Sequence, residues 1–286
     1  MQKTNSIKEI STPAEIQAAV LAAKRDGESV GFVPTMGAFH EGHLSLVDAS
    51  LMECDRTVVS IFVNPPQFSP DEDLENYPRP LEQDLDLLER RGVWVAFVPT
   101  VDDMYPPGFD SYVDVGSIAQ PWEGAARPTH FRGVATVVLK LLQMVPADRA
   151  YFGRKDYQQT LVVRRLIEDF DLPITLRVCP IVREADGLAM SSRNAYLTQA
   201  ERQRAPALRE ALMLAERKFL TGETSVAALR SEMNVLLADR GIQDIEYIAF
   251  LSDNTVEEVS AIVGPTVVAI AARVGRARLI DNHLIG

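Results

Sequence analysis

Short runs of β-branched and apolar residues alternate with segments of helical period through the first two thirds of the chain. That alternation is the strongest constraint on its fold. Val30 to Val33, Thr57 to Val63 and Val93 to Val98 read as buried strands, because a strand covered on both faces shows a continuous apolar run. Between them, His43 to Cys54 and Leu81 to Arg91 space their leucines as helices do, and the second stops at Gly92, a natural breaker. Val134 to Val145, with Lys140 as its only charge, is long enough for a helix buried on most sides. Asp148 to Phe152 reads as a further strand. Strands joined by helices of this length imply right-handed crossovers and an α/β fold, a doubly wound parallel sheet of Rossmann type.

The pattern changes after about Pro180. Thr198 and Glu201 form a capping-box signature that opens a long helix, and Leu208, Leu212, Ala215 and Phe219 then fall on one face. Pro206 removes a backbone donor and should kink or split that helix. Leu229, Met233, Leu236 and Leu237 mark a second helix ending near Gly241, followed by strand-like runs at Ile245 to Leu251 and Thr266 to Val274. Helices followed by strands predict a smaller α+β domain, so the expected division is 1–180 and 181–286.

Composition excludes several classes. Over 286 residues, 47% are hydrophobic and 24% charged, values that suit a globular core and not a disordered chain. Lys+Arg 29 against Asp+Glu 40 leaves a net charge of -11, the wrong sign for a protein that wraps nucleic acid. Cys54 and Cys179 have no metal-type spacing and read as free buried thiols of a reducing compartment. The first residues lack the apolar core of a signal peptide, and Ile262 to Ala272 is too short and too broken to span a bilayer. A cytoplasmic protein without membrane or nucleic-acid partners is the expectation.

The chemistry concentrates in Pro34-Thr35-Met36-Gly37-Ala38-Phe39-His40-Glu41-Gly42-His43. A strand, a glycine-containing turn and a helix N-terminus offer free backbone N–H groups and a helix dipole to an anion. Gly37 and Gly42 would let a ligand approach the backbone. His40 and His43, three apart, can face one spot and stabilise charge on a phosphate. By themselves two such histidines also fit a capping or surface pair, or a metal pair, although no third ligand is obvious. H-x-G-H directly after a first strand resembles the nucleotide-binding signature of the nucleotidylyltransferase and class I synthetase superfamily.

Longer strings narrow this. PTMGAFHEGHLSLV, VVSIFVNPPQF, YPRPLEQDL, FRGVATVVLKL, YFGRKDYQQ and VREADGLAMSSRNAYL, in that order, resemble the pantothenate synthetase (pantoate–β-alanine ligase) family. The resemblance implies ATP-dependent joining of pantoate to β-alanine, with AMP and pyrophosphate released through a pantoyl adenylate. It places ATP on Met36, Gly37, Ala38, Phe39, His40, Glu41, Gly42 and His43, with His43 as proton donor and His40 beside the same phosphates. Gly153, Arg154, Lys155 and Asp156 would follow, Lys155 reaching the phosphates; Val182, Met190, Ser191, Ser192 and Arg193 would form a second ATP block. Gln67 and Gln159 would bind pantoate, and Gln67 would also lie near β-alanine.

Magnesium is expected with ATP, without a named protein ligand, and the acids Asp84 and Asp86 read as the solvent face of a helix. The acidic stretch Ser69 to Tyr77 is equally a mobile lid or a solvated loop. Thr129, Trp122, Phe39 and Arg154 depart from the residues usual in the family; Arg154 would add charge beside the phosphates or face solvent. The family also implies a homodimer formed through the larger domain. The competing readings are a nucleotidylyltransferase acting on a phosphorylated acceptor, and a nucleotide-binding module without turnover.

Overall fold

Two sheets organise the chain in the computed structural model, which describes residues 7–68, 74–75 and 77–286. The first carries β1 (Lys8–Ile10), β2 (Val30–Thr35), β3 (Arg56–Ile61), β4 (Val95–Phe97), β5 (Arg149–Gly153) and β6 (Thr175–Cys179), all parallel, in the order β1-β4-β3-β2-β5-β6. Its crossovers are α1 (Pro13–Arg25), α2 (Glu41–Glu53), α3 (Leu81–Arg91), the single turns α4 (Val101–Met104) and α5 (Glu123–Ala126), α6 (His130–Met144) and α7 (Tyr157–Asp169). Along β2 and β3, successive side chains enter opposite cores. Phe32 and Val58 join a core with α1, α6 and α7, while Val33 and Val59 join one with α2 and α3. The sheet is therefore covered on both faces, as the apolar strand runs required.

The expected C-terminal α+β unit is present. Thr198 and Glu201 close a reciprocal capping box on α8 (Gln199–Arg204), and Pro206 separates it from α9 (Ala207–Leu220). After α10 (Val226–Asp239), β7 (Asp244–Ser252), β8 (Thr266–Val274) and β9 (Ala277–Ile285) form an antiparallel sheet. Leu208, Leu212, Leu229 and Met233 pack on it with Phe250 and Ile270. Tyr157 and Leu161 of α7 pack against Ala249, Leu251 and Val267, joining the two sheets through a small apolar cluster.

A buried ion cluster reinforces this junction. Arg278 on β9 donates two hydrogen bonds to Glu123, at 2.7 and 2.8 Å, and one to Glu246 at 2.8 Å, while the Tyr247 hydroxyl donates to Glu123 at 3.1 Å. Trp122 Nε1 donates to the Val256 carbonyl at 3.1 Å. Both cysteines are free thiols and half-buried. Among the described residues no helix is long and apolar enough to cross a membrane. Residues 69–73 and 76, on which most of the lid was expected, lie outside those described.

Helix α6 passes unusually close to the Pro65–Gln67 turn that follows β3. A Cβ on Gly133 would sit 2.5 Å from the Pro66 carbonyl oxygen and 2.6 Å from the Gln67 nitrogen. Since that obstruction is backbone, Gly133→Ala should push helix and turn apart, at a cost of about 1–3 kcal/mol in urea unfolding. An unchanged unfolding midpoint would show that the contact is looser than this.

Candidate active site

The H-x-G-H segment forms the passage from β2 into α2, at the C-terminal edge of the parallel sheet. The Ala38 and Phe39 N–H groups donate to the two carboxylate oxygens of Asp84, at 2.7 and 2.9 Å. Gly37 N–H donates to Thr35 Oγ1 at 3.2 Å, Gly42 N–H to His40 Nδ1 at 3.1 Å, and His43 N–H to the His40 carbonyl at 2.8 Å. This corrects the expectation of open backbone donors: these five groups already have acceptors within the turn and from α3. Cationic and hydroxyl side chains must supply most of what an anion needs here.

Asp84 is a second correction. It is 1% exposed, buried against the turn, whereas Asp86 is exposed and pairs with Arg90 at 2.8 Å. Gly37 follows the same logic. Its φ is 80°, and a Cβ would lie 2.8 Å from Asp84 Oδ2 and 3.0 Å from Ile61 Cγ2. The packing of the turn demands glycine before any ligand arrives.

His40 is the N-cap of α2. Because its Nδ1 accepts a hydrogen bond, its neutral form carries the proton on Nε2, an assignment made from the bonding pattern. The His40 and His43 rings lie 4.1 Å apart between centroids, and Phe39 meets His43 edge-on at 5.8 Å. Burial, reinforced by the Lys155 charge, pushes His40 down to about 4. Burial, with His40 and Lys155 adding to it, pushes His43 down to about 3. Both imidazoles are thus neutral at pH 7, and His43 Nδ1 is a buried polar atom without a partner among the described residues.

The opposite wall comes from β5. Lys155 lies in the turn between β5 and α7, 3.8 Å from Asp156, and Asn282 of β9 donates to the carbonyls of Arg154 and Lys155 at 2.9 and 3.0 Å. The Arg154 side chain lines a separate groove with Arg164 and Arg209, 3.9 Å from Asp253. It was expected beside the phosphates or facing solvent; it is half-buried, next to Asp253.

Gln67 ends the turn after β3. Its Nε2 donates to Met36 Sδ at 3.1 Å, and its Oε1 accepts from Asn64 Nδ2 at 3.1 Å. Asn64 is buried and accepts the Tyr105 hydroxyl at 2.6 Å. The Gln67 carbonyl lies 3.0 Å from His130 Nδ1 and accepts from Arg127 at 3.4 Å. Asn64 and Tyr105 were absent from the expected site. Asn64-Pro65-Pro66 reads locally as a stiff strand exit, and nothing in it announces a partner on α6 or near residue 105.

These walls enclose two adjoining cavities. One, of about 180 Å³, is lined by Met36, His43, Gln67 and Gln159 on its polar side and by Phe62, Val134, Val138 and Leu141 on its apolar side. The other, of about 520 Å³, is lined by Lys155, Ser191 and Arg193, and by Arg273, Arg276 and Arg278 from the small sheet. Asp156, Gln159 and Arg193 line both. His43, Lys155 and Gln159 therefore converge. Of the expected ATP residues, Met36, His43, Lys155, Asp156, Ser191 and Arg193 line these cavities, whereas Gly37 to Gly42, His40 among them, Gly153, Arg154, Val182, Met190 and Ser192 do not: the Val182 carbonyl accepts Met190 N–H at 3.0 Å, and Glu41 is exposed, 3.4 Å from Arg91. Glu123 forms part of the larger cavity's wall. Burial opposes its ionisation, but the hydrogen bonds and charge of Arg278 hold its carboxyl at about 2.

Comparison with known proteins agrees with the strings of the sequence. The Pantoate-beta-alanine ligase family profile matches residues 8–284. The pantothenate synthetase of Roseiflexus castenholzii is 49% identical over 276 residues, covering 96% of this chain and 98% of that protein. A crystal structure of pantoate-beta-alanine (pantothenate synthetase) from Thermus thermophilus superposes with a TM-score of 0.91 at 46% identity, covering 97% and 99% of the two chains. The Francisella tularensis pantoate-beta-alanine ligase, complexed with beta-gamma ATP and beta-alanine, superposes with a TM-score of 0.82 at 34% identity and 97% coverage of each chain.

The depressed imidazoles tie stability to pH. Unfolded histidines take up protons near 6.5, whereas His40 and His43 in the folded chain hold out to about 4 and 3. The unfolded state binds more protons across that window, so stability falls as pH drops from 6.5 towards 4 and 3. Between pH 7 and 5, a His40→Gln, His43→Gln double variant should lose less stability than its parent, by on the order of 1–2 kcal/mol after allowance for solvent access. Parallel losses in urea melts at the two pH values would show the rings to be hydrated.

Proposed function

Because the chain belongs to the pantoate-beta-alanine ligase family, we propose that it condenses pantoate with β-alanine, consuming ATP and releasing AMP and pyrophosphate through an enzyme-held pantoyl adenylate. The observation that carries this reading is the pairing of cavities. A compact space of about 180 Å³, amide-lined on one side and apolar on the other, suits a small hydroxy-acid with a gem-dimethyl carbon. It adjoins a larger, cation-lined space of about 520 Å³ that suits a nucleoside triphosphate. The beta-gamma ATP and beta-alanine bound by the Francisella relative support the same substrates here.

In the first step a pantoate carboxylate oxygen bonds to the α-phosphorus, and the bond from that phosphorus to the bridging oxygen breaks, releasing pyrophosphate. The protein contributes alignment and charge rather than a nucleophile. Gln67 and Gln159 would hold the hydroxyls and carboxylate, since an amide both donates and accepts. Lys155, Ser191 and Arg193 would meet the phosphates with charge-assisted hydrogen bonds. Neutral His43 would donate to the same oxygens, with His40 packed beside it. The approaching polyanion raises their proton affinity, so His43 can carry positive charge as the leaving group gains negative charge. In the second step the β-alanine amine attacks the acyl carbon, AMP departs, and the amine sheds its proton.

Within Met36 to His43, Gly153 to Asp156, and Val182 with Met190 to Arg193, the cavity-lining Met36, His43, Lys155, Asp156, Ser191 and Arg193 are proposed as the direct ATP contacts; the others would act through backbone or packing. Magnesium would enter with ATP as part of the substrate, since a hard cation takes phosphate oxygens as ligands. We also propose that residues 181–286 move as a unit over ATP against residues 1–180, with Ser191 and Arg193 near the hinge. Dependence on ATP supports a cytoplasmic location.

Isotope exchange between ATP and pyrophosphate, run without β-alanine, tests this. Exchange should require pantoate and ignore phosphopantetheine; the reverse dependence would assign the chain to acceptor-phosphate adenylation. His43→Ala should lower the exchange rate by about 10²–10³. Gln159→Leu should raise the pantoate KM about tenfold while sparing that for ATP.

A further inference from the structure

Asp84 stands on the first turn of α3, yet both of its carboxylate oxygens are committed to the backbone of a turn far away in sequence. We propose that Asp84 is the positioning residue of the H-x-G-H turn: its buried carboxylate clasps the Ala38 and Phe39 N–H groups and fixes the entry of α2, so that His43 is held at the wall of the smaller cavity, within reach of the Lys155 charge, with His40 packed beside it. The proposal rests on the ligase reading for the identity of the phosphates, and on geometry alone for the clasp.

The turn needs such a clasp. Ala38 adopts a left-handed backbone, φ 53°, which a non-glycine residue takes at a cost of about 1–2 kcal/mol. A strained conformation persists when its surroundings over-determine it. Here one rigid carboxylate receives two successive N–H groups at 2.7 and 2.9 Å, so it sets the orientation of both peptide planes just before His40. Gly37, whose Cβ would collide with Asp84 Oδ2, completes the fit.

The far end of α3 grips α2 as well, since Arg91 lies 3.4 Å from Glu41 and 3.3 Å from Asp48. Helix α3 thus holds both the turn and the helix that carries the histidines. An acidic group beside a triphosphate would ordinarily repel it. With both oxygens saturated by N–H groups and the side chain 1% exposed, the Asp84 charge is directed into the turn and away from the ligand. Asparagine has nearly the same shape, but its NH₂ would face a backbone N–H donor and break one of the two bonds.

The test compares the full-length parent with Asp84→Asn, Gly37→Ala and the exposed control Asp86→Asn, measuring ATP–pyrophosphate exchange, pantoate KM, thermal unfolding and the histidine ring titrations by NMR. Asp84→Asn should lower the exchange rate about 10²-fold, the scale of a small misplacement of reacting groups, with pantoate KM within about twofold of the parent. Its His43 ring should titrate closer to the ordinary 6.5 than in the parent, while Asp86→Asn matches the parent throughout. Should Asp84→Asn unfold, Gly37→Ala carries the test, because it disturbs the clasp from the other side and should show the same signature more mildly. A folded Asp84→Asn with exchange within about threefold of the parent overturns the proposal, as does a raised pantoate KM at unchanged rate. The ring titrations need no substrate, so they judge the clasp even if the parent shows no pantoate-dependent exchange, the outcome that would instead sink the ligase reading.

Discussion

Strand order reverses between β2 and β5, and the rest of the molecule follows from that reversal. The two strands are parallel neighbours, pairing Gly31 with Arg149 and Phe32 with Ala150. The chain leaving β2 enters α2 on one face of the sheet, whereas the chain leaving β5 enters α7 on the other. Their loops must diverge, and a crevice opens at the carboxyl ends of the strands. His40 and His43 stand on one side of it and Lys155 with Gln159 on the other. Neither wall is a site alone, because the residues reach one another only through the pairing of two strands far apart in sequence.

The crevice would be open above without the antiparallel sheet. Arg273, Arg276 and Arg278 extend from β8, the following turn and β9 towards the larger cavity, and Asn282 holds the peptide units of Arg154 and Lys155. A chain with net charge -11 can still receive a polyanion because its cations are gathered locally. The long-range repulsion from the remaining acids is screened within about one Debye length, roughly 8–10 Å in physiological salt. The Glu123–Arg278 pair joins the two sheets at the edge of this space. Its energetic weight lies in the cost of breaking it, since either partner left alone would be a buried charge.

What the sequence revealed tracks how local each cause is. Leu81 to Arg91 and Thr266 to Val274 could be read residue for residue, because a leucine period ended by Gly92 and an apolar β-branched run are short-range signals. Strand β6 gave no such signal: it lies at the sheet edge, mostly exposed, with arginine and threonine in it. Strand β9 was hidden by Arg278, Asp281, Asn282 and His283, polar residues whose partners lie on other elements, such as Glu123 and the Lys155 carbonyl. The ordered blocks brought out His43, Lys155, Gln67 and Gln159, which the fold gathers around the two cavities. Asp84 was misread for the opposite reason. Among Glu82, Asp86 and Glu89 it resembles a wet helix face, and its true partners are the peptide groups of Ala38 and Phe39.

That misreading changes how the turn should be understood. A helix N-terminus with glycines invites the view that backbone N–H groups bind the anion, yet here those groups are largely consumed in holding shape. Rigid backbone and neutral imidazoles would then serve a purpose that open donors would not. A fixed cationic site stabilises bound ATP as much as it stabilises the departing pyrophosphate, which strengthens binding without accelerating the reaction. Under the proposed mechanism, imidazoles kept neutral by burial, at about 4 and 3 in the free enzyme, would gain proton affinity as negative charge builds on the phosphates. The stabilisation they would supply therefore grows along the reaction coordinate, provided the turn beneath them does not move.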